Sequence, residues 1–386
     1  MVIDMSYKIT EDLLKYLDGS LEENYALIET LSKIPSPSHF EDEIAAYCKK
    51  WLEDQGAEGV YIDGAKNVVY PMNCDGCDEI TVFMAHTDTV FPADTPLIFR
   101  RDEERFYAPG VGDDITCLTA MLFAVKYIIK NGIRPKRGVL FVANSCEEGL
   151  GNLKGSMQIM KDFSGRIKEF YTFDGMYTGA GTRCVGSHRY KVECITEGGH
   201  SFGKFGNPNA IERLAKLICD LYSIEVPKKE NCKTTYNVGT IEGGTSVNTI
   251  AQNANMLYEY RSDDAECLDI MKKAFEDKVA AANAEGGAEF KVSVVGIRPC
   301  GIEVDRELHN AMLKKVIDIC EKHSGLPCKP RSGSTDCNSA MSQGVPAICV
   351  GVYTGGGAHT REEYVNIKSI AVGMKIAAEL ILDYFE

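Results

Sequence analysis

The 386-residue sequence predicts an α/β protein: a mixed, largely parallel sheet flanked by helices, with a smaller inserted α+β domain. Two observations support this prediction. Over most of the chain, short apolar runs typical of buried strands alternate with segments of helical periodicity. Between residues 187 and 296, strand-like segments instead alternate polar and apolar residues, which is typical of an antiparallel sheet with one covered face.

The larger domain accounts for both ends of the chain. Apolar periodicity predicts one helical region over residues 11–33, and Ser38-His39-Phe40-Glu41 resembles a capping box that starts a helix ending near Gln55. Later helices are predicted over 115–130, 305–325 and 369–385. Strands are predicted near 58–62, 67–71, 79–85, 137–145, 169–173 and 346–352.

The smaller domain follows the change of pattern near Ser187. Residues 189–194 and 254–261 alternate as half-buried strands, and helices are predicted over about 208–224 and 264–285. We therefore predict a first part of the larger domain at 1–186, an insertion at 187–296 and the second part of the larger domain at 297–386.

Composition excludes several classes of partner. The formal net charge of −14, from 56 acids against 42 bases, argues against nucleic acid and anionic membranes. No apolar run approaches membrane-spanning length, and Met1–Thr10 lacks the features of a signal peptide. The fifteen cysteines show no disulfide framework and indicate reduced thiols in a cytoplasm. A loop is favoured over a zinc site for the single Cys74-Asp75-Gly76-Cys77 motif.

The stretch from Phe83 to Val90 places a histidine at the end of a predicted buried strand. His86 could offer a ring nitrogen to a metal, while Asp88, two residues on, could accept the other ring N–H and fix the tautomer. Alone, this pattern fits a satisfied core histidine better than a metal ligand.

Further acids and a second histidine follow other predicted strands or begin a helix. Asp113 and Asp114 precede the 115–130 helix, where adjacent acids are usually caps. Glu147 and Glu148 follow a strand, so one could ligate a metal while the other holds a proton. The neighbouring Cys146 has no obvious histidine partner, which argues against a thiol nucleophile. The candidate metal ligands are His86, Asp113, Glu148, Asp174 and His359.

This ligand set suits Zn²⁺ first, with Mn²⁺ or Co²⁺ as alternatives. Three carboxylates against two divalent cations leave about one positive charge, which a bridging hydroxide would neutralise. Two cations could then activate that water and polarise a carbonyl group.

The motifs, in their order along the chain, resemble the M20 family of metallo-exopeptidases and amidohydrolases. They are His86-Thr87-Asp88-Thr89-Val90, Gly112-Asp113-Asp114, Glu147-Glu148-Gly149, Asp174, Gly199-His200-Ser201 and Ala358-His359-Thr360. The resemblance covers nearly the whole chain and implies a di-zinc exopeptidase-like fold.

The resemblance also implies a role for each site residue. One metal would take His86 and Asp174, the other Glu148 and His359, and Asp113 would bridge them. It makes Glu147 the general base, lets Asp88 orient His86, and implies a cis peptide bond between Asp113 and Asp114.

In the family, the inserted domain usually mediates dimerisation, so a homodimer is implied. His200 would reach the partner subunit's site and stabilise the oxyanion, unless it is simply a loop histidine. Asn248, Arg261 and Gly333 resemble substrate-contacting positions, although Arg261 could instead pair with Glu193 or Glu259. Asp336 could equally support a ligand or cap the helix that follows it.

These features predict a hydrolase that cleaves small peptides by a metal-bridged water, of the aminopeptidase, dipeptidase or tripeptidase type. The Ala-His-Thr-x-x-Glu-Tyr pattern at 358–364 leans towards peptidase T-like aminopeptidases. An N-acyl amino-acid amidohydrolase is the alternative. A catalytically silent, metal-dependent peptide-binding protein is the more remote one.

Overall fold

The computed structural model of the protein describes residues 9–386. It divides into two compact units, one formed by Met1–Arg183 with Glu303–Glu386 and the other by Cys184–Ile302. The second unit contains the whole predicted insertion, 187–296. Residues 1–8, most of the stretch inspected for a signal peptide, lie outside the described part. Within residues 9–386, no helix combines the length and apolar character needed to cross a membrane.

The regular elements of the described chain are numbered from its N-terminus. The α-helices are α1 (Glu11–Gly19), α2 (Leu21–Leu31), α3 (Asp42–Asp54), α4 (Cys117–Asn131), α5 (Lys154–Asp162), α6 (Ala210–Tyr222), α7 (Ala265–Ala284), α8 (Arg306–Ser324), α9 (Cys337–Met341) and α10 (Ile367–Leu382). The strands are β1 (Tyr61–Ile62), β2 (Val68–Met72), β3 (Ile80–His86), β4 (Arg100–Arg101), β5 (Arg105–Tyr107), β6 (Gly138–Asn144), β7 (Ile167–Phe173), β8 (Gly179–Cys184), β9 (Gly186–Ile195), β10 (Gly199–His200), β11 (Thr234–Gly243), β12 (Thr249–Ile250), β13 (Asn253–Ser262), β14 (Glu289–Arg298), β15 (Lys329–Gly333), β16 (Ala347–Val350), β17 (Gly355–Gly356) and β18 (Tyr364–Asn366).

The main sheet of the first unit has eight strands in the order β1-β2-β6-β3-β7-β16-β8-β15. Strands β6, β3, β7 and β16 are parallel, whereas β1, β2 and β8 run antiparallel to their neighbours. Strands β3 and β6 are buried along their whole length, as expected when helices cover both faces of a parallel sheet. The predicted mixed, largely parallel sheet is therefore confirmed.

Two N-terminal predictions need correction. The helical region 11–33 is two helices, which are separated at Ser20, where the backbone leaves helical geometry. The predicted capping box is wrong: α3 begins at Asp42, and its N-cap residue Glu41 makes no side-chain capping bond. Ser38 and Glu41 instead bond to residues far along the chain, as described below.

The second unit contains a four-stranded antiparallel sheet in the order β11-β13-β9-β14. One face is apolar and includes Val192, Met256 and Tyr258, which belong to a buried cluster with residues of α6 and α7. The other face carries polar residues such as Arg189 and Glu259. Strands β11 and β14 are the edges of this sheet, and they were not predicted because much of each strand is exposed.

Candidate metal centre

Three neighbouring parallel strands carry candidate ligands to one edge of the main sheet. Strand β3 ends at His86, β6 is followed by Glu147 and Glu148, and β7 is followed by Asp174. In the strand register, His86 lies opposite Asn144, the last residue of β6. The carboxyl ends of parallel strands meet at the same edge, where α/β proteins place their ligand sites.

His86, Asp113 and Asp174 form a set that we call the inner trio; their ligand atoms lie within 4.8 Å of one another. Nδ1 of His86 is 3.0 Å from the backbone oxygen of Asp88, and Nε2 is 3.0 Å from Oδ1 of Asp113. Because a carbonyl oxygen can only accept, we assign the ring proton to Nδ1. Nε2 faces the Asp113 carboxylate, so either a proton or a cation between the two atoms would satisfy this contact.

Asp113, Glu148 and His359 form a second set, the outer trio, whose ligand atoms also lie within 4.8 Å of one another. Nε2 of His359 lies 2.8 Å from Oε1 of Glu148 and 3.1 Å from Oδ2 of Asp113. The two oxygens of Asp113 therefore face different histidines. This is the arrangement that a carboxylate shared between two cations requires.

The charges of the two trios perturb one another strongly. Burial and the neighbouring Asp113 raise the pKa of Asp174 to about 7. Hydrogen bonds to Asp113 and Glu148 raise the pKa of His359 to about 10. Burial lowers the pKa of His86, but Asp114, Asp113 and Asp88 together raise it well above its usual value. In the protein without metal, protons held by these groups reduce the excess of negative charge. Divalent cations bound to the same carboxylates would neutralise that charge instead.

The donor set fits divalent cations of the zinc type. It offers two imidazole nitrogens and three carboxylates, and mixed nitrogen and oxygen ligands suit Zn²⁺, Mn²⁺ and Co²⁺. The measured separations of 2.8–3.1 Å are close to the edge of roughly 3.3 Å expected for ligands at about 2.0–2.1 Å from a tetrahedral Zn²⁺.

Asp114 holds the backbone of His86, a member of the inner trio. Its Oδ2 accepts the backbone N–H of His86 at 3.0 Å, and the residue is 1% exposed. The Asp113–Asp114 peptide bond is cis, as the family resemblance implies. Helix α4 begins at Cys117 and its N-cap residue is Thr116, so neither acid caps it.

The Asp88 carboxylate holds the Glu147–Glu148 pair. Its Oδ1 accepts the backbone N–H of Glu147 and its Oδ2 that of Glu148, each at 2.9 Å. Ser38 Oγ donates to the same Oδ2 at 2.6 Å. His86 Nδ1 is 3.5 Å from the carboxylate, farther than from the Asp88 carbonyl. Asp88 therefore orients His86 mainly through its backbone, and Ser38 is a site residue that the capping-box interpretation missed.

Glu147 lies beside both histidine and carboxylate ligands. It is 4% exposed, and its carboxylate, His86 and Glu148 have ligand atoms within 4.8 Å of one another. A carboxylate at this distance is placed to exchange a proton with a water molecule held near the ligands.

Cys146 has a histidine neighbour that the sequence did not reveal. Its Sγ lies 3.4 Å from Nδ1 of His39 and 3.2 Å from Oε1 of Glu41, and Glu41 also accepts the backbone N–H of Cys146 at 3.0 Å. Burial and Glu41 raise the pKa of the thiol to about 12. The prediction that a histidine is lacking is therefore wrong, but a thiol of this pKa remains a poor nucleophile.

Asp336 and Gly333 lie in the first unit. Asp336 makes no side-chain capping bond to α9, and its fully buried Oδ2 accepts Nδ2 of Asn144 at 2.8 Å. The backbone carbonyl oxygen of Asn144 accepts hydrogen bonds from both the backbone N–H and the hydroxyl of Thr87, each at 2.8 Å. Asp336 thus supports the strand end next to His86. A side chain at Gly333 would meet only Thr335, 4.0 Å away.

His200 lies in the second unit, on a small ribbon in which β10 pairs with β12. Its Nδ1 accepts the backbone N–H groups of Phe202 and Gly203, both at 3.3 Å. Because Nδ1 accepts, Nε2 of the neutral ring carries the proton. The side chain is exposed, so this N–H can donate to another molecule.

The predicted substrate contacts of the second unit make bonds within that unit. The backbone oxygen of Asn248 accepts the N–H of Ser201 at 3.0 Å. Arg261 forms a two-pronged pair with Glu259, with nitrogen–oxygen distances of 2.9 and 3.0 Å. The pairing alternative for Arg261 is thus realised with Glu259. Its side chain is still 38% exposed.

The Cys74-x-x-Cys77 motif forms a turn in which the backbone N–H of Cys77 donates to the Cys74 carbonyl at 3.3 Å. Both cysteines are free thiols. Among residues 9–386, no group of three candidate metal ligands includes either sulfur. The motif thus forms a turn between β2 and β3.

A mixed α/β sheet with two candidate ligand trios around one shared aspartate is the arrangement expected of a metal-dependent hydrolase. The chain belongs to peptidase family M20/M25/M40, whose family model matches residues 82–383. The resemblance drawn from the motifs is thereby confirmed, and the chain is a hydrolase of this peptidase family.

Relatives extend the likeness over most of the chain. Carboxypeptidase G2 of Pseudomonas sp. (strain RS-16) is 24% identical over 312 residues, covering 78% of this chain and 73% of the relative. The uncharacterised protein YqjE of Bacillus subtilis (strain 168) is 24% identical over 380 residues, covering 91% and 95%. A tripeptidase structure from Staphylococcus aureus superposes with a TM-score of 0.74 at 23% identity, covering 94% of this chain and 97% of that one.

Proposed function

We propose that this chain is a two-metal exopeptidase that cleaves small peptides. The observation that supports this most directly is the position of Asp113, whose Oδ1 lies 3.0 Å from His86 Nε2 and whose Oδ2 lies 3.1 Å from His359 Nε2. When bound by the two trios, divalent cations lower the pKa of the attacking water and polarise the scissile carbonyl. Zn²⁺ is the first choice, with Mn²⁺ and Co²⁺ as alternatives.

Glu147 is the proposed general base. It takes the proton of the attacking water and passes it to the leaving amine. Asp88 fixes the backbone of Glu147 and of Glu148, so the base and one ligand are held by the same buried carboxylate. This explains why the two glutamates are adjacent yet serve different roles.

His200 is the proposed donor to the tetrahedral oxyanion. Its Nδ1 accepts two backbone N–H groups, which leaves the Nε2 proton available for donation. We propose that it acts on the site of a partner subunit in a homodimer formed through the second unit. Asn248, Arg261 and Gly333 stay predictions as substrate contacts.

Small peptides are the proposed substrates, and N-acyl amino acids are the alternative. The tripeptidase and the carboxypeptidase among the relatives support peptides. Fifteen free cysteines support a reducing location, and we propose the cytoplasm.

The decisive experiment reconstitutes the protein with Zn²⁺, Mn²⁺ or Co²⁺, measures metal per chain, and assays dipeptides, tripeptides and N-acyl amino acids in parallel. We expect two cations per chain and faster hydrolysis of peptides. Preferential hydrolysis of N-acyl amino acids would favour the deacylase. A fully loaded protein inert on the whole panel would favour a binding protein.

Glu147→Gln tests the base separately from the metals. We expect kcat to fall by about 10²- to 10⁴-fold, while two cations remain bound. Glu362→Gln is the matched control because that carboxylate is 79% exposed and pairs with Arg100. Wild-type turnover by Glu147→Gln would refute the assignment.

Hybrid dimers test the role of His200. Chains carrying Glu147→Gln and chains carrying His200→Ala are each expected to be inactive. Mixing them should restore activity, because one site of each hybrid then has an intact base and an intact partner histidine. Inactive hybrids, verified as heterodimers, would contradict a role across the interface.

A further inference from the structure

We propose that Glu363 is a positioning residue of the two-metal site: its carboxylate fixes the loop that carries Asp113. The inference rests on the proposed function and extends it to a residue that neither trio contains. Glu363 belongs to the Ala-His-Thr-x-x-Glu-Tyr pattern, in which only the histidine has so far been given a role.

Three backbone N–H groups of one loop converge on this carboxylate. Oε2 of Glu363 accepts the N–H of Gly110, and Oε1 accepts those of Gly112 and Asp113, each at 2.8 Å. The residue is 1% exposed, so water does not compete for these donors. Buried N–H groups that lose their acceptor are costly, and the loop would rearrange to find new partners.

The loop cannot find new partners without moving, because the space around it is filled. Gly110 has a φ of +75°, in the left-handed region, and a Cβ built at Gly112 would lie 2.8 Å from the hydroxyl of Tyr353. The segment is therefore enclosed by Tyr353 on one side and bonded to Glu363 through its amides. If the carboxylate is lost, the loop moves away from its present position. Asp113, which directly follows Gly112, moves with it.

Glu363 also connects the bridging aspartate with the outer histidine. It lies four residues after His359, on the segment between β17 and β18, whose ends pair through Gly356 and Tyr364. The segment that presents His359 to the outer trio thus also holds the loop of Asp113. We infer that this connection sets the 3.1 Å separation between Asp113 Oδ2 and His359 Nε2.

Glu363→Gln tests this inference because it keeps the shape and removes one acceptor oxygen. The amide cannot accept from both sides of the loop, since its NH₂ group opposes a backbone N–H wherever it points. We expect cation affinity to fall by about 10- to 100-fold, the range typical of residues that support metal ligands. We also expect kcat to fall while KM stays within about twofold, because substrate contacts are unchanged.

Affinity is measured by competition between the protein and a calibrated Zn²⁺ chelator, and Co²⁺-loaded protein gives an absorption spectrum that reports ligand geometry. Glu362→Gln is again the control, because the carboxylate of Glu362 is exposed and pairs with Arg100. The control should match the wild type in affinity, spectrum and kcat.

A folded Glu363→Gln protein with wild-type cation affinity, Co²⁺ spectrum and kcat would overturn the proposal. So would a variant that only melts earlier while each folded molecule keeps these three properties, because that is a purely structural role. If Glu363→Gln does not fold, Glu363→Asp is measured in the same way: weaker cation binding supports the proposal, and wild-type binding overturns it. If the wild type itself binds no pair of cations or hydrolyses no amide, the proposed function fails instead.

Discussion

The two ends of the central strands in the first unit solve the same problem, buried charge, in opposite ways. At the amino end, Arg137 pairs with Glu169, donates to Thr81 Oγ1 at 3.0 Å and lies over the ring of Tyr384. The hydroxyl of Tyr384 donates to the same glutamate. Arg137 and Glu169 therefore neutralise each other within the protein.

At the carboxyl end, acids outnumber bases. The acids that meet there are Asp88, Asp113, Asp114, Glu147, Glu148 and Asp174, and the histidines among them are His86 and His359. Burial first, and then the charge of the neighbouring Asp113, raise the pKa of Asp174 to about 7. Burial lowers the pKa of His86, but the surrounding carboxylates raise it well above its usual value. The charges of Arg137 and Glu169 at the amino end are thus compensated within the protein, whereas the carboxyl end keeps an excess of acids that the proposed cations would neutralise.

The largest expected effect is at the shared aspartate. Asp113→Asn removes the charge common to both trios, so we expect kcat to fall by more than about 100-fold and the chain to lose high-affinity binding of both cations. Metal analysis after gel filtration and steady-state kinetics measure this. Retention of two tightly bound cations would show that Asp113 is not shared.

A substitution at the amino end of the strands should change the free energy of unfolding but not the turnover. Glu169→Gln leaves the partly buried Arg137 without its charged partner, so we expect unfolding to become easier by about 2–3 kcal/mol, less than the roughly 3–5 kcal/mol of a fully buried pair. Chemical denaturation measures the loss, and kcat per folded molecule should not change. A large loss of turnover would mean that the two ends are not independent.

Ser38→Ala should produce a smaller effect at the carboxyl end. Asp88 keeps both backbone N–H donors but loses the hydroxyl at 2.6 Å, so we expect roughly tenfold weaker turnover or cation affinity. Ser164→Ala, at an exposed serine, is the matched control. An effect no larger than that of the control would exclude Ser38 from the support of the site.

The smallest effect concerns pH in chelator-treated protein. Asp174 has a folded pKa of about 7, above its unfolded value, so the folded state binds more protons between these values. Stability should therefore fall as pH rises from about 4 to 7, and the fall should be shallower in Asp174→Asn. Thermal unfolding in the presence of chelator measures both slopes. Equal slopes would show that Asp174 does not carry the repulsion.

The elements that have a local pattern in the sequence, above all the buried strands, were predicted well. The buried runs that became β3, β6 and β7 are short and apolar, and a histidine or an acid ends or follows each run. The local pattern was therefore enough to select His86, Glu148 and Asp174 as candidate ligands. The motifs of the candidate site were recognisable as a set, through their order along the chain.

Contacts between distant residues were not predictable in this way. Ser38 and Glu41 fit a capping box by spacing, but their partners Asp88 and Cys146 lie 50 and 105 residues away, and those bonds determine their positions. The same holds for Glu363, whose acceptor role depends on a loop about 250 residues earlier. Edge strand β11 lacked a clear alternation because most of its residues are exposed.

The difference in exposure between the two histidines has a kinetic consequence. The side chain of His86 is 1% exposed and that of His359 is 54% exposed. An ion held by the outer trio would therefore exchange with the medium more readily than one held by the inner trio, whose members are buried or half-buried. In the proposed two-metal enzyme, turnover would then follow the concentration of free metal through the outer position.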